Sequence, residues 1–244
     1  MSSNSAAAVP APAHQHNQLL ALFSPETRQR WAPHLQQVEL TARRVLCEAR
    51  QPLLHAYFPI DSVLAVNNHL PAERSLTVAL IGHEGMLGVN AFLGHAPGPS
   101  STSVLVAGSA WRLDAGALLA DFQRGGSTQQ LLLAYTQSLV TQIAQTAACN
   151  RHHTIDQQLS LRLVQIMDRV ERRDFDFSQG QLAELVGARR ERVNQIVGKL
   201  QADNAVSLRR GGFDVLDPAP LRRRMCGCHA VMKAAEARAL GQLP

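Results

Sequence analysis

Lysine is almost missing from this sequence. Only Lys199 and Lys233 occur in 244 residues, so the net charge of +5 rests on arginine. Arginine is the planar, forked cation, better matched than lysine to phosphates and guanine edges. Aromatic residues are scarce too, at 5% against a hydrophobic fraction of 45%, so the core must be aliphatic. No apolar run reaches the roughly 20 residues that span a bilayer, which argues against a membrane protein. The four cysteines, Cys47, Cys149, Cys226 and Cys228, are too few to staple a chain of this length. A reducing, cytoplasmic setting is expected. The first residues, MSSNSAAAVPAPAHQHNQ, lack a basic n-region and a long apolar segment, so no secretory signal is expected.

What is present falls into blocks. Residues 1–17 are rich in Ala, Ser, Pro, Gln and His, have no apolar stripe, and read as a disordered tail in which His14 and His16 are solvated. Leu19, Leu20, Leu22 and Phe23 support a short helix, and Ser24-Pro25-Glu26 restarts one. From Leu35 to Leu113 the period shortens to that of strands. The β-like runs are Gln37–Leu40, Arg44–Cys47, His55–Pro59, Ser62–Asn67, Leu76–Ile81, Thr102–Ala107 and Ala110–Leu113. Turn residues separate them, including Pro71-Ala72 and Ala96-Pro97-Gly98-Pro99, and the pattern is that of a small antiparallel barrel or roll. GHEGMLGVNAFLG (Gly82–Gly94) could cradle a phosphate, but tight turns and a short helix fit its spacing better.

Helical spacing returns after Ala117. Leu131, Leu132, Tyr135, Leu139, Val140 and Ile143 form a wide apolar face, and no charge falls between Arg124 and Arg151. Such a helix packs on something large: the matching helix of a second subunit is the favoured partner, and its own domain is the rival one. A further amphipathic helix follows Thr154, with Arg162, Arg169, Arg172 and Arg173 read as lying on or near its outer face.

The most informative stretch is Ser178–Leu200, SQGQLAELVGARRERVNQIVGKL. Ser178 with Gln181 three residues on makes a capping box. Leu182, Leu185 and Val186 give one apolar stripe, Gly187 can end the helix, and Val193, Ile196, Val197 and Leu200 give a second stripe. Two short helices around a glycine turn make a helix-turn-helix. The other face of the second helix carries Arg190, Glu191, Asn194 and Gln195, side chains that reach base edges and phosphates. Gly198 interrupts this helix at a cost of about 1 kcal/mol against alanine and has no functional reading. Beyond it, Ala205–Leu208 and Phe213–Leu216 flank Arg209-Arg210-Gly211-Gly212, the mark of a basic hairpin. A hairpin in that place makes the motif winged.

Residues 18–228 resemble the Crp/Fnr family of bacterial transcription regulators. The likeness rests on FPIDSVLAV (Phe58–Val66), ALIGHEGMLGVNAFLG (Ala79–Gly94), AQTAACNRHHTIDQQLSLRLVQIMDRV (Ala144–Val170) and QLAELVGARRERVNQIVGKLQ (Gln181–Gln201). MCGCH (Met225–His229) resembles the Cys-rich ending of one branch. The resemblance implies an α+β chain with an N-terminal antiparallel β-roll of the cupin-like, cyclic-nucleotide-binding type. A long dimerisation helix and a C-terminal winged helix-turn-helix would follow. The expected divisions are a tail (1–17), sensor domain (18–120), dimerisation helix (121–152), DNA-binding domain (153–228) and C-terminal tail (229–244).

By position, the resemblance implies base reading by Arg190 and Glu191, with Asn194 and Gln195 as further candidates. Phosphate contacts are expected at Arg189, Arg192, Arg209 and Arg210, and Ser178, Gln179 and Lys199 are further DNA-binding candidates. The implied partners are double-stranded DNA, a second copy of the chain, and as further candidates RNA polymerase and a small-molecule effector. The effector pocket would be lined by Gly82, Gly85, Met86, Leu87, Gly88, Val89, Ser101 and Thr102.

Departures from the family concern the sensor. Cyclic-nucleotide binders carry a Glu for the ribose where Val89 stands here, and an Arg for the cyclic phosphate where only Ser100-Ser101-Thr102-Ser103 stand. Without that charge-assisted fork, no tight binding of cyclic AMP is expected. Iron–sulfur members carry an N-terminal cysteine cluster, and this chain has no cysteine before Cys47. Cys149, His152 and His153 can be imagined with Cys226, Cys228 and His229 as a metal or redox site. Cys-x-Cys is not the usual zinc spacing, so structural roles are expected and no metal or other cofactor is assigned. His69, His83 and His95 read as surface turn residues. The favoured function is a homodimeric, sequence-specific transcription regulator answering to a signal other than cyclic AMP. A sensor working through protein interaction is the alternative. An enzyme ranks last, since no nucleophile–base pair, carboxylate pair or metal triad stands at motif spacing.

Overall fold

The computed structural model describes residues 17–70, 74–94 and 98–242. Residues 1–16, Pro71, Ala72, His95, Ala96 and Pro97 lie outside that set. Two short helices come first, α1 (Gln18–Leu22) and α2 (Pro25–Trp31). Asn17 is not part of a tail. It is fully buried, accepts from the Leu20 N–H at 2.8 Å, and donates to the Pro59 and Gly85 carbonyls at 2.8 and 2.9 Å. A buried amide must be paired in this way, and the pairing fixes where the chain enters the fold.

All seven β-like runs are strands: β1 (Leu35–Leu40), β2 (Val45–Cys47), β3 (His55–Pro59), β4 (Val63–Leu70), β5 (Arg74–Ile81), β6 (Ser100–Val106) and β7 (Gly108–Asp114). They pair antiparallel in two sheets, ordered β1-β7-β3 and β2-β6-β4-β5. Buried Leu40, Tyr57, Leu64, Ile81, Val104 and Ala110 fill the space between the sheets. His69 lies in β4 rather than a turn, with Nε2 at 2.7 Å from the Ser101 hydroxyl. GHEG forms a tight turn, and a single short 3-10 turn covers Val89–Ala91.

Helix α3 (Ala115–Arg124) ends at Gly125, and α4 runs from Gly126 to His152. Gly125 and Gly126 have φ of 77° and 70°, a backbone that only glycine adopts cheaply, so the long helix starts after residue 121. At 27 residues α4 is about 40 Å long. It is tied to the roll by side chains. The Tyr135 hydroxyl donates to the Met86 carbonyl at 2.8 Å, and Gln142 Oε1 accepts from the Leu80 N–H of the outer strand β5 at 2.7 Å.

The C-terminal part contains α5 (Ile155–Met167), β8 (Asp174–Phe175), α6 (Gln179–Val186), α7 (Arg190–Ala202), β9 (Val206–Arg209), β10 (Gly212–Val215), α8 (Ala219–Arg224) and α9 (Cys228–Ala239). Its small sheet is ordered β8-β10-β9. The stretch expected as a C-terminal tail is mostly α9, which packs along α4 and buries Met232, Ala239 and Leu240. Two arginines expected on the outer face of α5 and just beyond it are in fact inside. Arg162 and Arg169 are each 4% exposed, while Arg172 and Arg173 are exposed. Arg162 bonds only neutral acceptors: Gln165 Oε1 (3.0 Å), the Thr77 carbonyl (2.9 Å) and the Thr146 hydroxyl (3.3 Å). Burial pulls its pKa down to about 10.

Arg169 is the opposite case. Its Nε donates to Glu84 Oε1 at 2.8 Å, NH1 donates to the Gln165 carbonyl at 2.9 Å, and NH2 lies 3.8 Å from Glu236. Burial opposes its charge, yet Glu84 and then Glu236 hold its pKa above the usual range. One guanidinium thereby joins the glycine turn of the roll, the end of α5 and α9. Removing it should leave Glu84 buried without a counter-charge, a loss of about 3–5 kcal/mol. Arg169→Ala is expected to lower stability to urea by that amount. A loss below about 1 kcal/mol, the scale of an exposed pair, would show that Glu84 finds water instead.

Candidate nucleic-acid interface

The helix-turn-helix forms as its residues direct. The Ser178 hydroxyl accepts from the Gln181 N–H at 3.2 Å and Gln181 Oε1 accepts from the Ser178 N–H at 3.0 Å, closing the capping box. Gly187 ends α6 with φ 60° and ψ 29°, the left-handed conformation that glycine tolerates. A side chain there would press on Leu76 of the roll, with a Cβ 2.9 Å from Leu76 Cδ1. The Arg43 NH2 donates to Gln181 Oε1 at 3.4 Å, so the motif rests directly against the β-roll.

Val193, Ile196, Val197 and Leu200 bury the inner face of α7. The outer face is unobstructed: Arg190, Glu191, Arg192, Asn194, Gln195 and Lys199 are all exposed. Arg190 and Asn194, and likewise Glu191 and Gln195, are four residues apart, which puts the two adjacent pairs on one side of the helix. Gly198 continues that side with no neighbour within 4 Å of a built Cβ. Arg192 NH1 donates to Gln195 Oε1 at 3.1 Å, so these two side chains act as a pair. Arg189 stands at the N-cap without a side-chain cap bond, which leaves its guanidinium free to reach outward. Ser178 is engaged as a cap and half-buried, as is Gln179 beside it.

The wing is built as expected, but its two arginines differ. Arg209 Nε lies 3.1 Å from Asp214 and its NH2 2.6 Å from Asp176, so two carboxylates already hold it. Arg210, at the exposed tip of the turn, has no ion pair among the described residues. Underneath, Phe175, Phe177 and Phe213 pack with ring centroids 5.4 to 5.8 Å apart and fix the hairpin to the helices.

The cavity at the expected effector position is lined by only five of the eight residues that the resemblance implied. A cavity of about 250 Å³ lies between the roll and α4. Met86, Leu87, Gly88, Val89 and Thr102 line it, but Gly82, Gly85 and Ser101 do not. Gly82 is packed against Arg169 and Gly85 against the Tyr135 ring, so neither reaches the cavity. Ser101 faces a groove shared with α6 instead. Sequence reasoning missed the other wall, Thr136, Leu139, Val140 and Ile143 of α4. Their signal was the long uncharged run, read first as a subunit-pairing face and second as a helix lying along its own domain. No charged residue lines the cavity among the described residues.

A family model for the Crp-like helix-turn-helix domain matches residues 157–224. This part of the chain is a Crp-like helix-turn-helix domain. Solved structures extend the likeness to the whole fold. A transcriptional regulator assigned to the crp/fnr family from Eubacterium rectale superposes with a TM-score of 0.67 at 10% identity, covering 84% of this chain and 96% of that one. FixK2 from Bradyrhizobium japonicum gives 0.65 at 10% identity, with coverage of 79% and 98%. The c-di-GMP-responsive regulator CLP of Xanthomonas campestris gives 0.61 at 17% identity, with coverage of 79% and 99%. No curated protein matches the chain in sequence. The resemblance read from the motifs thus holds for the fold and for the Crp-like domain. Among the described residues no helix is long and apolar enough to cross a membrane.

Proposed function

We propose that this chain is a sequence-specific transcription regulator that binds double-stranded DNA as a homodimer. The observation that carries the reading is the face of α7. Its apolar stripe is fully buried, while Arg190, Glu191, Asn194 and Gln195 stand exposed on one side of a Crp-like domain. Arg190 can fork onto guanine O6 and N7, and Glu191 can accept from cytosine N4. Arg189, Arg192, Lys199 and Arg210 would follow the phosphates. Arg209 must first release its carboxylates or serve to hold the wing.

A dimer is supported by what α4 leaves uncovered. Leu133, Val140 and Ile143 are 45%, 52% and 37% exposed on a helix with no charged residue before Arg151 in its last turn. Apolar side chains at seven- and three-residue spacing form the seam that a second copy would cover. Pairing two such helices would set two α7 helices about 34 Å apart, one turn of DNA, on a near-palindromic site.

The cavity favours a signal without a strong negative charge. A cyclic phosphate would enter a wall that offers only Ser100, Thr102, Asn90 and Thr136 as polar side chains besides the Cys47 thiol, with Val89 where a ribose-binding Glu would be needed. Because α4 forms one side, a ligand there would press directly on the pairing helix.

Three outcomes are expected. Arg190→Ala should cost about 1–3 kcal/mol of binding to a selected site and relax preference at one base position. Unchanged affinity and preference in a gel-shift selection would remove α7 as the reading helix. Val140→Glu should shift the protein from dimer to monomer in analytical ultracentrifugation, and an unaltered dimer would place the seam elsewhere. Isothermal titration with cyclic AMP should show no micromolar binding, and a clear micromolar isotherm would refute the account of the cavity.

A further inference from the structure

Three of the four cysteines converge with a histidine at the point where the long helix hands over to the Crp-like domain. The ligand atoms of Cys149, His153, Cys226 and Cys228 all lie within 4.8 Å of one another. Cys149 Sγ is 3.5 Å from Cys226 Sγ, and Cys228 Sγ is 3.6 Å from His153 Nδ1. Those two distances are close to the edges of a tetrahedron around one ion. With metal–sulfur bonds near 2.3 Å and metal–nitrogen bonds near 2.0–2.1 Å, tetrahedral geometry requires sulfur–sulfur edges of about 3.8 Å and sulfur–nitrogen edges of about 3.6 Å. An iron–sulfur cluster would spread its four ligands over two or more irons, which sets some of them farther apart than this. We propose that Cys149, His153, Cys226 and Cys228 bind one tetrahedral divalent ion of the zinc class.

The ligand spacing that counted against a metal in the sequence is explained by the fold. Cys149 lies in the last turn of α4 and His153, four residues on, is the residue that caps the helix. Cys226 precedes α9 and Cys228 opens it, so the Cys-x-Cys pair straddles a bend rather than lying along a strand or helix. His152 is exposed and takes no part. His229 points elsewhere, with Nε2 2.7 Å from Asp168.

Two neighbours fit a metal–thiolate centre. Gln145, one helical turn before Cys149, donates its Nε2 hydrogen to Cys228 Sγ at 3.1 Å. Such outer-shell donors orient and stabilise thiolate ligands. The second is Arg162. It is a buried cation whose hydrogen bonds all go to neutral oxygens, and it lines the same small cavity as Cys149. An unpaired buried charge is costly. Binding a divalent ion displaces three thiol protons to solvent, so the loaded centre carries one net negative charge. That charge is the counter-ion Arg162 otherwise lacks. Leu161, Met225 and Met232 complete a dry wall around the sulfurs.

The ion would fasten the end of α4 to the α8–α9 link. It would thereby fix the angle at which the Crp-like domain leaves the pairing helix. The site does not rest on the DNA-binding reading; only its consequence for DNA does.

The test uses the full-length protein, reduced, stripped with chelator and titrated anaerobically with Co²⁺. The expected result is one cobalt per protomer with the intense visible bands of a tetrahedral site and a thiolate-to-cobalt charge-transfer band. Zn²⁺ should bleach both. Cys47→Ser should leave these bands intact, and Cys149→Ser or Cys228→Ser should abolish or weaken them. If the cysteine variants fail to fold, His153→Ala replaces a half-buried ligand. It should weaken binding by more than the roughly 10–100-fold that loss of an outer-shell partner costs. A six-coordinate cobalt spectrum, no stoichiometric uptake, or unchanged affinity in His153→Ala would overturn the site. In gel shifts, loaded and stripped protein are expected to differ in DNA affinity. Equal affinities would overturn the fixed-angle consequence while leaving a site with a positive cobalt spectrum in place.

Discussion

The buried guanidinium of Arg169 is the constraint on which the arrangement of this chain depends. It lies just past the end of α5, inside the Crp-like domain, and it bonds Glu84 in the glycine turn of the roll. Glu236 of α9 supplies a second carboxylate. A charge taken out of water must be met by partners in fixed positions. The turn, the helix and the C-terminal helix therefore cannot shift independently. His83 adds to the clasp, its Nδ1 lying 2.8 Å from the Arg169 carbonyl. The GHEG turn, which could have been read as a phosphate cradle, serves as a lock between two parts of the chain.

Placed around that lock, α4 has three faces with three tasks. One face holds the roll through Tyr135 and Gln142. One lines the cavity through Thr136, Leu139, Val140 and Ile143. Its uncovered apolar side chains, among them Val140 and Ile143 again, are available to a second subunit. The overlap is physically meaningful, because a molecule filling the cavity and a partner helix would touch the same side chains. At its far end α4 delivers Cys149 and His153 to the junction with the Crp-like domain.

Much of the fold was legible because its causes are local. The seven strands follow alternation and turn residues, with boundaries moving by up to three residues. The helix-turn-helix follows from one capping box, one left-handed glycine and two apolar stripes. The exposed face of α7 could be named residue by residue, since helical spacing alone decides which side is opposite the core. Errors arose where a local rule met a distant partner. Arg162 and Arg169 were placed outward because arginine is rarely buried unless paired. Asn17 was assigned to the tail because its acceptors, Pro59 and Gly85, lie far along the chain.

The sequence by itself determined the secondary structure, the Crp-like motif and the presence of Val89 and an uncharged Ser100–Ser103 stretch. Each of these depends on residues within a few positions of one another, or on the identity of a single residue. Tertiary structure alone decided that α9 packs on α4, that three glycine-turn and strand positions leave the cavity, and that Cys149, His153, Cys226 and Cys228 meet. The last pairing spans more than 70 residues, from Cys149 to Cys226. No periodicity encodes such a contact, because it exists only after the burial of α5 and α8 has brought the two ends together.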